Sequence, residues 1–159
     1  MPPLRLGCIL LLALLAGRAL AAGSEDIAIV VPAGSSHRVD ELQTLAAIYR
    51  RKKQYWDDGA RIEAVNLPAD DPRRRQFSQR VLGELPEALD QYWNEQYFHG
   101  VLPPHVLAST EAVLRFVAAT PAAIGYVPLC AADHRVTITM TIDATGAPVD
   151  KPSREACRH

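Results

Sequence analysis

Apolar positions along the chain fall into continuous runs, period-two alternation and helical spacing, and each pattern predicts an element. Ile27 to Val31 is a short continuous apolar run that ends at Pro32, Ala33 and Gly34, the pattern of a strand buried on both faces. After Gly34-Ser35-Ser36-His37, the residues Leu42, Leu45, Ala46 and Tyr49 recur at helical spacing behind Asp40 and Glu41. The basic run Arg50-Arg51-Lys52-Lys53 closes that helix, where cations complement the macrodipole and sit in water. Asp57-Asp58-Gly59 predicts a turn, and Ile62 to Val65 a second strand. The resulting strand–helix–strand unit is expected to be parallel and right-handed.

Pro72 suits the first turn of the next helix, which buries Phe77 and Val81 and stops at Gly83. A third helix is expected from Pro86, with Leu85, Leu89, Tyr92 and Trp93 facing the core. Pro103-Pro104 breaks the chain. Ser109 then caps a helix carrying Val113, Leu114, Phe116 and Val117, and Pro121 forbids its extension. Ala123 to Val127 reads as a third strand. Val136, Ile138, Met140 and Ile142 alternate with threonines, the period of a half-buried strand. These elements predict an α/β domain: a mixed, mostly parallel sheet of about four or five strands flanked by helices.

The first residues have a different pattern. A basic start is followed by an apolar run from Leu6 to Gly17, and Ala19-Leu20-Ala21 supplies the small residues of a cleavage site. Residues 1–21 are therefore expected to be a secretory signal peptide, cut after Ala21 or one residue later. Arg18 interrupts the run before it is long enough for a membrane span, so no anchor is expected after cleavage, and the product is periplasmic or secreted. Residues 24–145 then form one domain and 146–159 a polar, Pro-containing tail.

Loss of Arg5 and Arg18 leaves 15 basic against 18 acidic residues, a mildly acidic product with no general affinity for nucleic acid. Two of its residues are Cys130 and Cys157. In an oxidising compartment they most simply pair, which would hold down the tail; two free thiols are the alternative.

Signs of catalysis are lacking. The five histidines have no metal-ligand spacing, and there is no nucleophile elbow, P-loop or dinucleotide fingerprint. We expect no enzyme activity, metal or cofactor. One local feature points instead to anion binding. Asp70-Asp71-Pro72-Arg73-Arg74-Arg75 opens a helix, and three arginines in a first turn oppose the helix dipole. Either they are solvated and offset by the aspartates, or Arg73 meets an anion at the free backbone N–H groups beside Asp71. The loop Ser35-Ser36 follows a strand's C-terminal end, where open α/β sheets bind ligands, and is a second candidate.

Taken in order, several segments resemble the phosphate-binding component of bacterial phosphate ABC importers, a type 2 periplasmic binding-protein fold. They are Asp40-Glu41-Leu42, Ile48-Tyr49, Lys52, Trp56-Asp57-Asp58-Gly59, Ile62, Val65-Asn66, Arg73 to Phe77, Val81-Leu82-Gly83, Glu111-Ala112-Val113 and Ala122-Ala123-Ile124-Gly125-Tyr126-Val127. The resemblance spans roughly residues 26–128 and implies a truncated, single-lobe version of that fold. It also implies phosphate or another small anion as ligand, with a protein partner supplying the second lobe. At the helix start, where the family has a Ser-Gly-Thr phosphate cradle, Asp70-Asp71-Pro72 stands instead, with no hydroxyl and one N–H fewer. The family's Gly before Lys52 is Arg51 here. An interaction or sensory module that has lost its ligand is therefore the alternative reading.

Overall fold

A computed structural model describes residues 25–149 and Cys157. The expected signal peptide and its cleavage site lie outside the described residues. The apolar run becomes β1 (Ile27–Pro32), buried at every position. It is central because β4 (Ala123–Pro128) and β5 (Val136–Ile142) pair with its two edges. The full order of the six-stranded sheet is β3-β2-β4-β1-β5-β6, where β2 is Glu63–Asn66, β3 is His105–Val106 and β6 is Pro148–Val149.

The fold is α/β, with more strands than expected and a different balance of directions. β2 is parallel to β3 and β4, but β1 is antiparallel to β4 and β5, and β5 is antiparallel to β6. The expected parallel unit of β1 and β2 is thereby corrected. β4 lies between them, parallel to β2 and antiparallel to β1, so β1 and β2 run in opposite directions. A run buried on both faces reports that a strand is central; it carries no signal of direction. The two extra strands are two residues each, too short to leave a period-two pattern.

Helices cover both faces. Successive side chains of β4 point to opposite sides. On one side Gly125 faces Val113 and Val117 of α4 (Thr110–Ala119), a helix capped by Ser109, whose Oγ accepts from Ala112 N at 3.1 Å. On the other side Tyr126 meets Tyr49 of α1 (Leu42–Tyr49) and Phe77 of α2 (Pro72–Phe77). The Phe77 and Tyr126 rings stack at 3.9 Å between centroids, and Tyr49 closes the trio at 4.5 Å from Phe77.

Of the basic run that closes α1, only Lys52 is exposed as the sequence suggests, and Arg50, Arg51 and Lys53 are half-buried. Arg51 sits at φ 59°, the left-handed conformation that ends many helices and favours glycine. Its N–H donates to Ile48 O and that of Lys52 to Ala47 O, so the terminal carbonyls are capped at the cost of a strained arginine. Arg50 reaches Leu82 O at 2.9 Å, and Arg51 reaches Ile62 O at 3.2 Å.

After α2 the helix widens into a π turn over Ser78–Leu82 and stops at Gly83, φ 74°. The next helical pattern divides into a tight turn at Pro86–Leu89 and α3 (Asp90–Phe98). Leu89 is buried, yet no residue of α3 is, and Tyr92 and Trp93 are half-buried covers and not core. Tyr92 Oη donates to Arg50 O at 2.6 Å, which holds α3 over the end of α1. The alternation in β5 is broken by a register shift opposite Ile29 and Val30, so Thr141 ends up buried beside Met140 and Ile142.

Cys130 and Cys157 form a disulfide with Cα atoms 5.3 Å apart. Pairing continues beyond residue 145, because Pro148 and Val149 of β6 lie against Ile142 and Thr141.

Candidate anion site at the start of helix α2

The turn after β2 builds a polar cluster on the Tyr126 face of the sheet. Asp71 is the N-cap of α2, and its carboxylate is almost fully engaged by the chain itself. Oδ1 accepts from Arg73 N at 2.8 Å and from Arg73 Nε at 2.9 Å, while Oδ2 accepts from Arg73 Nη2 at 2.9 Å. The Asp71 backbone oxygen accepts from Arg75 N, and Pro72 has no N–H to offer. The Arg73 guanidinium, aided by the Arg73 and Arg74 backbone N–H groups, holds the Asp71 carboxyl below its usual range against the opposing effect of burial. An internal carboxylate therefore occupies the donors that an anion would use at this helix start.

Arg73, the expected anion contact, is thus tied to Asp71. Among the described residues Arg74 is the buried cation, and it is not among the anion contacts expected from sequence. It is 8% exposed, and its Nε and Nη1 have no hydrogen-bond acceptor among the described residues. One turn further on, Ser78 is fully buried and its Oγ also lacks a partner. The guanidinium lies against the Tyr126 hydroxyl: burial pushes that phenol above its usual value, and the Arg74 charge is the largest effect opposing the rise. Tyr126 Oη also accepts from Leu67 N at 3.1 Å and donates to Asn66 Oδ1 at 3.3 Å, and Tyr49 Oη donates to Val65 O at 3.2 Å. A buried guanidinium with two unmatched nitrogens is costly unless an acceptor, best of all an oxyanion, satisfies it. Helical spacing held a signal for this. Arg74 precedes Phe77 by three residues and Val81 by seven, which puts it on the apolar face, while Arg73 and Arg75 flank it on wetter ones.

Ser35 and Ser36 do not join this cluster. β1 pairs Ile27 with Pro128 and Val30 with Gly125, so its C-terminal end abuts the start of β4. β2 runs with β4, and its C-terminal end points toward Pro128. The Ser35-Ser36 loop and the Asp71 turn therefore stand at opposite ends of the sheet, about 20 Å apart by strand rise. Ser35 Oγ accepts from His37 N at 3.1 Å. Ser36 instead borders an open recess of about 280 Å³ with His37, Arg38, Asp40, Trp56, Asp57 and Asp58. There His37 stacks on Trp56 at 4.6 Å, and its Nε2 lies 3.0 Å from Asp58 Oδ2.

Among the described residues, no helix is long and apolar enough to cross a membrane. No protein-family model and no curated protein matches the chain. Solved structures do. A phosphate ABC transporter substrate-binding protein from Clostridium perfringens, solved with bound phosphate, aligns with TM-score 0.60 at 19% identity over 74% of this chain. An ABC-type phosphate transport receptor from Vibrio cholerae aligns with TM-score 0.58 at 18% identity over 73%, and PstS from Borrelia burgdorferi with 0.54 at 16% over 68%. The fold is thus that of one part of these binding proteins, as the sequence resemblance implies. The alignments cover only 46%, 46% and 42% of the three neighbours.

Proposed function

We propose that this chain is an exported, non-enzymatic solute-binding domain, periplasmic or secreted, that takes phosphate or a similar small oxyanion weakly, with Arg74 as the charged donor. The single observation that carries this reading is the buried Arg74 guanidinium with Nε and Nη1 unmatched. Fold likeness to proteins of phosphate transport supports the choice of ligand class. Affinity is low because Asp71 already holds the Arg73 guanidinium and the Arg73 backbone N–H, and its own charge repels an incoming anion. With few donors left, we expect a dissociation constant no tighter than about 0.1 mM. A protein partner that closes over this end of the sheet would exclude water and tighten it.

The same Asp71 geometry favours a second reading, an interaction or sensory module whose internal carboxylate has replaced the ligand. Equilibrium dialysis of the exported protein against phosphate, sulfate and small carboxylates separates the two. The first reading expects millimolar-range retention of oxyanions, lost in Arg74→Met and kept in Arg73→Ala. No retention of any anion would leave the second reading standing, whereas retention lost only in Arg73→Ala would move the anion contact from Arg74 to Arg73.

A further inference from the structure

Residues 96–110 contain no Asp, Glu, Lys or Arg, in a chain that is 22% charged overall. The stretch runs from the last turn of α3 through β3, which is an edge of the sheet. Four of the six exposed large apolar side chains among the described residues lie in it: Tyr97, Phe98, Leu102 and Val106, at 67%, 87%, 60% and 63% exposure. Phe98 is nearly as exposed as in an unfolded chain, with the Tyr97 ring edge-on at 6.3 Å. Edge strands are normally protected by charge, proline or a covering element. Both residues of β3 are exposed, and the stretch supplies Pro103 and Pro104 only before the strand.

We propose that the face formed by the end of α3 and the β3 edge is a homodimer interface, in which the β3 strands of two copies pair antiparallel across a two-fold axis. Two features select a second copy as occupant. A two-fold contact sets one patch against itself, residue i on j and j on i, so a net charge of either sign repels; this patch holds no Asp, Glu, Lys or Arg. The area is also adequate. The four side chains expose about 500 Å² together, more than half of the roughly 800 Å² that each partner contributes to a standard interface. Ordered backbone from residues 99–108 would supply the rest. A charged partner would find no counter-charge here, and an apolar ligand would leave the β3 backbone groups unpaired. Pairing satisfies those groups and covers Phe98 at once.

Sedimentation velocity on the protein recovered after export, from about 1 to 300 µM, tests this. We expect a concentration-dependent dimer with a dissociation constant of about 10–100 µM. Val106→Lys and Val106→Glu should each weaken it at least about tenfold by opposing like charges, and an equimolar mixture of the two should restore it. Phe98→Ser, on an exposed site that the fold does not need, should weaken it similarly, with circular dichroism confirming the fold of each variant. A wild-type protein that stays monomeric throughout the range overturns the proposal. So does a dimer that Val106→Lys and Phe98→Ser leave intact, because its interface then lies elsewhere.

Discussion

Replacing Arg74 with Met separates the stability of the fold from the binding assigned to it. Met keeps the length and packing of the aliphatic stem while removing a charge that is 8% exposed with two unmatched donors. The Tyr126 hydroxyl loses its contact with Arg74 but is not orphaned, because Oη keeps Leu67 N and Asn66 Oδ1. Each unmatched donor on a buried group costs about 1–3 kcal/mol. After allowance for relaxation, Arg74→Met should be more stable than wild type by about 1–3 kcal/mol without phosphate. At about 4 °C per kcal/mol for a chain of this size, Tm rises by roughly 4–12 °C. Phosphate reverses the order of response. For a dissociation constant between about 0.1 and 1 mM, 10 mM phosphate stabilises wild type by about 2.7 down to 1.4 kcal/mol and leaves the variant unchanged. Urea or thermal unfolding with and without phosphate, at matched ionic strength, reads both effects. A variant less stable than wild type would make Arg74 a structural group with partners. An equal phosphate response in both proteins would remove it from the anion site.

Three further outcomes follow from the packing and the surface charges. A Cβ on Gly125 would lie 2.7 Å from Val113 Cγ1 and 3.0 Å from Val117 Cγ2, both on stiff β-branched side chains; Gly125→Ala should cost about 2 kcal/mol in urea unfolding, and an unchanged midpoint would contradict the packing. Because Arg51 is held at φ 59°, Arg51→Gly should be more stable than Arg51→Ala by about 1 kcal/mol, although both lose the bond to Ile62 O; equal stabilities would mean that the left-handed cap is not formed. Arg135 forks onto both Glu111 and Asp133, and its hydrogen bonds, with help from Arg115 at Glu111, pull each carboxyl down to about 2. Their folded-state pKa values lie below the unfolded ones, so this contribution is complete above about pH 4.5 and fades as the pH falls through about 2; carboxyl NMR titrations with midpoints near 4 would refute the network.

How much of this was readable in advance depended on which physical signal each feature leaves in the chain. Burial leaves periodicity, so β1, α1, α2, α4 and the strands at Ala123 and Val136 were all legible. The caps at Asp71, Ser109 and Gly83 left residue types that only those positions favour. Strand direction leaves no local trace, which is why the mostly parallel expectation gave way to three antiparallel pairs. Tyr92 and Trp93 had helical spacing but follow a tight turn that swings α3 off the core. At the site, two alternatives are legible for Arg73, and its pairing with Asp71 matches the one in which the aspartates offset the arginines. Sequence does not show that the Arg73 side chain folds back on the cap two residues earlier, nor that Arg74 is the buried one of the three. Ser35 and Ser36 follow the C-terminal end of β1, which a parallel β1 would set beside the Asp71 turn and the antiparallel one sets at the other end of the sheet. The Cys130–Cys157 pairing needed only the expected compartment and the number of cysteines left after cleavage.

The most direct test of the account is a phosphate titration followed by NMR on the Arg74 Nε–H signal, assigned by its loss in Arg74→Met. A downfield shift is expected that saturates with a dissociation constant of about 0.1–1 mM and weakens between low and physiological salt. The Arg73 Nε–H, held by Asp71, should move little. A stationary Arg74 signal while phosphate shifts Arg73 or the Ser35-Ser36 amides would contradict it, as would micromolar binding insensitive to salt.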